Sequence, residues 1–146
     1  MIPSLIEIAG APWPVLPPGI HWATLAEIED VFAATAYRKR LFDGFVMALQ
    51  NLTAAGCRRA YLDGSFVTGK PFPGDFDACW DADGVDARRL DPVLLNFKNE
   101  RTLQKRKYLG ELFVLNMSAD GEKRFLEFFQ IEKHTGEPKG IIGIEI

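Results

Sequence analysis

The sequence predicts one α+β (α/β) domain: a mixed sheet of about four to five strands flanked by helices. Three observations carry that expectation. The chain has 146 residues, 47% of them apolar, and a chain of this length buries about 70% of the surface its unfolded form exposes, so a core can hold it without disulfide or metal staples. Its apolar spacing switches repeatedly between the helical and the strand period. Between residues 37 and 81 the order is helix, strand, loop, strand, the signature of an α/β unit.

The elements follow in chain order. Residues 1–22 are rich in breakers, with Pro3, Pro12, Pro14, Pro17, Pro18, Gly10 and Gly19, so they are expected to form an extended arm over the surface of a single domain spanning 23–146. Thr24, with Glu27 three residues later, forms a capping box for a helix to about Ala34. Leu41, Phe45, Leu49 and Leu52 mark the apolar face of a longer helix from Tyr37 to Ala55, and Gly56 stops it. Strands are expected at Arg59–Asp63, Asp75–Asp81, Glu111–Met117 and Ile141–Ile146. Short helices are expected at Asp86–Leu90 and at Asn96–Tyr108, the second strongly cationic, and another opens at Ser118 or Asp120 and runs to about Lys133.

Composition narrows the function classes. The 17 Lys+Arg and 20 Asp+Glu leave a net charge of −3, which argues against nucleic-acid binding through bulk charge and requires any polyanion to be met locally. The longest apolar runs, such as Leu112 to Leu115, fall far short of the ~20 residues of a membrane-spanning helix. The start, Met1-Ile2-Pro3-Ser4, lacks the basic and apolar regions of a secretory signal, so a cytoplasmic address is expected, with no membrane partner. Cys57 and Cys79 then read as buried small hydrophobes rather than a disulfide.

The chemistry is concentrated in Tyr61-Leu-Asp-Gly-Ser-Phe-Val-Thr-Gly-Lys-Pro-Phe-Pro-Gly-Asp-Phe-Asp-Ala-Cys-Trp80. Gly64-x-x-x-x-Gly69-Lys70 imitates the phosphate-cradling P-loop, but Pro71 stands where that motif needs a Ser/Thr hydroxyl, and a second strand follows where it needs a helix. A different pattern fits better. Gly64-Ser65 forms a turn whose N–H groups and hydroxyl can hold phosphate oxygens, and after nine intervening residues comes Asp75-x-Asp77. Strand alternation turns both carboxylates to one face and Phe76, Ala78 and Trp80 to the other. Carboxylates forced together repel unless a cation lies between them, and Mg²⁺ favours one or two carboxylates plus substrate phosphates. An EF-hand is excluded, because Cys79 and Trp80 stand where that loop needs an acid or Asn and then Gly.

The arrangement resembles the nucleotidyltransferase superfamily typified by DNA polymerase beta, whose signature is Gly-Ser, about ten residues, then Asp-x-Asp on the next strand. Gly64, Ser65, Asp75 and Asp77 hold those positions. The chain is also similar to small stand-alone bacterial proteins of unassigned function that share Leu16-Pro-Pro-Gly-Ile-His21, Asp63-Gly-Ser-Phe66 and Pro73-Gly-Asp-Phe-Asp77. The resemblance implies the superfamily's minimal fold, a nucleoside triphosphate held at Gly64 and Ser65, and Mg²⁺ (or Mn²⁺) bound by Asp75 and Asp77. It also implies a third carboxylate on a later strand. Glu111 takes that place, where Asp is more usual, and Asp63 departs from the apolar residue that usually precedes Gly-Ser.

On this reading a nucleoside monophosphate passes from the triphosphate to an acceptor hydroxyl, on a macromolecule such as a protein or tRNA, in the manner of toxin–antitoxin and phage-defence relatives. Two alternatives stay open: a catalytically inactive nucleotide-binding or protein-interaction module with the same fold, and a small-molecule (antibiotic) nucleotidyltransferase. Lys70, Lys105 and Arg106 are the candidate phosphate contacts. Residues 98–107 form a cationic stripe that fits either a solvated face or an RNA acceptor. His21 and His134 are isolated from each other and from Cys, which argues against metal ligation. Trp80 and the Phe125 to Phe129 cluster read as core rather than base-stacking surfaces.

Overall fold

Capping and apolar periodicity set the helices. In the computed structural model, which describes residues 1–117 and 124–146, Thr24 caps α1 (Leu25–Phe32) through the full capping box: the Glu27 N–H donates to Thr24 Oγ1 at 3.2 Å, and the Thr24 N–H donates to Glu27 Oε2 at 2.8 Å. Thr35 caps α2 (Ala36–Ala54), whose Leu41, Phe45, Ala48, Leu49 and Leu52 are buried. Gly44 lets α2 cross α3 (Lys98–Tyr108) closely, because a Cβ there would lie 2.0 Å from the Tyr108 carbonyl oxygen.

The five strands are β1 (Gly19–Trp22), β2 (Arg59–Asp63), β3 (Phe76–Trp80), β4 (Gly110–Val114) and β5 (Gly140–Glu145). They form one mixed sheet in the order β1-β5-β2-β3-β4, antiparallel on both sides of the central β2 and parallel at each edge pair. One face carries Ala60, Leu62, Phe76, Ala78, Trp80, Leu112, Ile142 and Ile144 into the main core with α1 and α2. The other carries Tyr61, Cys79 and Ile141 beneath α4 (Phe125–Phe129). Cys57 and Cys79 are both buried and unbridged. Among the described residues no helix is long and apolar enough to cross a membrane.

The α+β expectation holds, and several elements differ from the sequence reading. The arm does more than cover the surface: Val15 and Leu16 are buried, and β1 completes the sheet by pairing with β5. Such a short edge strand leaves little trace beside Pro17-Pro18-Gly19. No helix forms over 86–90; turns fill it, and a 3₁₀ turn at Pro92–Leu95, capped by Asp91, takes its place. In α3 the first turn is left-handed at Asn99, Glu100 and Arg101. The start expected at Ser118 or Asp120 lies outside the described residues, and α4 ends at Phe129 rather than near Lys133.

Candidate active site

Pairing register builds the site. Asp63 on β2 lies opposite Asp77 on β3, and Asp77 lies beside Glu111 on β4, so three acids form a row across the sheet on the face that also carries Tyr61, Cys79 and Phe113. Asp75 sits one residue before β3. The carboxylate oxygens of Asp75, Asp77 and Glu111 lie within 4.8 Å of one another.

Electrostatics show what that convergence costs. Burial, reinforced by the negative charges of Asp75, Asp63 and Glu111, pushes the Asp77 carboxyl up to about 8. Burial, together with Glu111, also raises Asp75, against the pull of Lys105, Lys70 and Arg101. The ion pairs nearby fall on the two flanking acids instead: Glu111 meets Lys105 Nζ at 3.0 Å and Arg101 Nε at 3.2 Å, and Asp63, itself pushed up by burial, is paired with Lys139. Asp75 and Asp77 have no ion-pair partner among the described residues. Three hard oxygen donors at this spacing, two of them uncompensated, suit a small divalent cation.

The Gly-Ser turn is built for closeness. Gly64 has φ 79° and ψ −172°, a region open essentially to glycine alone, and a Cβ there would lie 2.3 Å from Asp77 Oδ2. Ser65–Val67 then form a 3₁₀ turn, and the Thr68 hydroxyl donates to the Ser65 carbonyl at 2.6 Å. The loop passes Lys70 and enters β3 with no helix, as the rejected P-loop would have required.

Arg38 holds this loop, and the sequence reading missed it. Its buried guanidinium donates to the carbonyls of Phe66 (2.7 Å), Thr68 (2.9 Å) and Lys70, and to Phe32 at the end of α1 (3.1 Å). The signal was present: Arg38 continues the Leu41, Phe45, Leu49, Leu52 stripe one step back, and a cation on an apolar stripe needs a buried partner. Lys139, enclosed between Pro138 and Gly140, offered no such signal.

A cleft of about 1060 Å³ opens over the site, and Gly64, Ser65, Lys70, Asp75, Asp77 and Glu111 all line it. Lys105 lies on the other side of Asp75, in a smaller hollow of about 190 Å³ shared with Tyr37 and Arg40. Arg106 is exposed and lines neither space: one residue beyond Lys105, it points about 100° away around the helix. The cationic stripe is therefore divided. Arg101 and Lys105 serve Glu111, and Lys107 serves Asp91, while Lys98 and Arg106 are exposed and carry no ion pair among the described residues.

Trp80 belongs to the core, 2% exposed. The phenylalanine cluster is split. Phe113, Phe125, Phe128 and Phe129 all line the cleft, but Phe129 is buried whereas Phe128 is exposed. His21 Nε2 lies 2.6 Å from the Pro17 carbonyl oxygen, and His134 pairs with Glu132, so both histidines have structural partners.

The profile of a family described as "Family of unknown function (DUF6932)" matches residues 11–145. No curated protein and no solved structure gives a match.

Proposed function

We propose that this chain, which belongs to the DUF6932 family of unknown function, is a divalent-cation-dependent nucleotidyltransferase. The convergence of Asp75, Asp77 and Glu111 within 4.8 Å, against a Gly64-Ser65 turn in a cleft, carries this reading. Gly64 and Ser65 hold the terminal phosphates of a nucleoside triphosphate through backbone N–H groups and the Ser65 hydroxyl, and Lys70 screens their charge. Asp75, Asp77 and Glu111 are the residues that would hold Mg²⁺ or Mn²⁺. Bound there, such an ion would neutralise charge developing on the phosphate under attack. The acceptor hydroxyl attacks the α-phosphorus, the bond to the β-phosphate oxygen breaks, pyrophosphate leaves, and a carboxylate of the cluster takes the hydroxyl proton. The acceptor on this reading is a macromolecule, protein or RNA. A cytoplasmic setting accords with two buried, unbridged cysteines.

One observation favours a second reading, an inactive nucleotide-binding module. Two cations already engage Glu111, so the third ligand is partly neutralised without a metal. Incubation of the protein with each α-labelled triphosphate, Mg²⁺ and cell extract decides between them. Label on an acceptor with wild type and not with Asp77→Asn supports the transferase. Equal label with both proteins, or none with any triphosphate, overturns it.

A further inference from the structure

We infer that the aromatic wall of the cleft is a nucleobase subsite, an inference that rests on the transferase reading and assigns the part of the substrate that the acidic cluster does not touch. The wall begins next to the cluster. Phe113 lies two residues beyond Glu111 on β4, hence on the same face and about 7 Å further along the strand. Its ring stacks on Phe125 at 4.2 Å between centroids and 17° between planes. Phe125 and Phe128 in turn meet Phe129 at 5.9 and 6.5 Å. Phe129 anchors the group in the core, but Phe128 is 42% exposed and lines the cleft; the N-terminal arm supplies Trp13, 37% exposed, to the same cleft.

Large rings left half open inside a concave site are the usual lining of a ligand pocket, and every base has a π-face that such rings accept. Charge selects the occupant. The cleft joins an acidic cluster fit for a cation, the lysines Lys70 and Lys133, and aromatic surface; an apolar peptide leaves the charges unanswered, whereas a triphosphate with a flat aromatic head uses all three. At about 1060 Å³ the cleft is at the top of the ~300–1,000 Å³ range of small-ligand sites, enough to hold a whole nucleotide. Stacking area on these rings favours purine over pyrimidine.

The experiment compares calorimetric binding of ATP and of ribose 5-triphosphate, which lacks the base, each with Mn²⁺, to the full chain and to Phe128→Ala and Phe128→Tyr. Wild type is expected to bind ATP about 5- to 150-fold more tightly than the abasic compound, the range that stacking on one base commands. Phe128→Ala removes most of that preference without changing affinity for the abasic compound, and Phe128→Tyr retains it. Equal wild-type affinity for the two ligands overturns the subsite and leaves the transferase reading standing. So does an equal loss of both ligands in Phe128→Ala, whose exposed position makes a folding defect detectable by its thermal midpoint. Failure of wild type to bind either compound overturns the transferase reading and the subsite with it.

Discussion

The two faces of the sheet are built to opposite specifications. On the face under α1 and α2, strand residues alternate into a dry apolar core, with Phe45 packed edge-to-face on Phe76 at 5.2 Å. On the other face the same alternation delivers Asp63, Asp77 and Glu111 in a row, then Tyr61, Cys79 and Phe113 in the next. One surface gains stability by excluding water; the other retains mutual repulsion in a cleft. Repulsion tolerated in a cleft marks that face as the candidate site, while the apolar face supplies stability.

Breaking the apolar face has the largest expected effect. Phe45→Ala should cost about 3–5 kcal/mol, read as a drop in the urea midpoint at unchanged slope, a large share of the roughly 5–15 kcal/mol that usually holds a domain folded. Arg38 ties the end of α1 to the loop after Gly64 and Ser65. Arg38→Met leaves four carbonyls without their donor, two of them part-buried and open to replacement by water, for a net cost of about 1–3 kcal/mol, and hydrogen exchange should speed up in residues 64–70 well beyond any change in β5. Gly64→Ala comes next, at about 1–3 kcal/mol for a strained backbone, with cation affinity lost as well because the new methyl group meets Asp77 Oδ2.

One substitution has the opposite sign. In the cation-free protein the Asp77 carboxyl is held at about 8 against an ordinary 3.8. Between those values the folded protein binds the proton and the unfolded chain does not, so this group's contribution to stability falls as pH rises from about 4 to about 8 and stays low above that. Asp77→Asn, which carries no charge, should therefore raise the thermal midpoint above pH 8, and the gain should shrink toward pH 4. A midpoint difference that does not vary with pH would remove the repulsion from the account.

The strands and the acidic pair were legible in the sequence because period-two alternation and a Gly-Ser turn are local signals. Thr24 with Glu27, and the apolar stripe of α2, were legible for the same reason. What escaped depended on distant partners. β1 is a strand only because β5 lies beside it. Arg38 belongs to the site only because four carbonyls from two other segments converge on it. The Phe125 to Phe129 cluster read as core, since composition does not reveal that Phe128 faces a cleft. Arg106 looked equivalent to Lys105, but one step along a helix separates a residue beside Asp75 from one in solvent.

The central claim is that the polar face is assembled around one divalent cation. Mn²⁺ titration followed by electron paramagnetic resonance tests it most directly. Wild type should bind one Mn²⁺, displaced by Mg²⁺, and Asp75→Asn and Asp77→Asn should each abolish that binding while remaining folded. Binding of Mn²⁺ by both variants as strongly as by wild type, or no binding by wild type at all, would contradict the account.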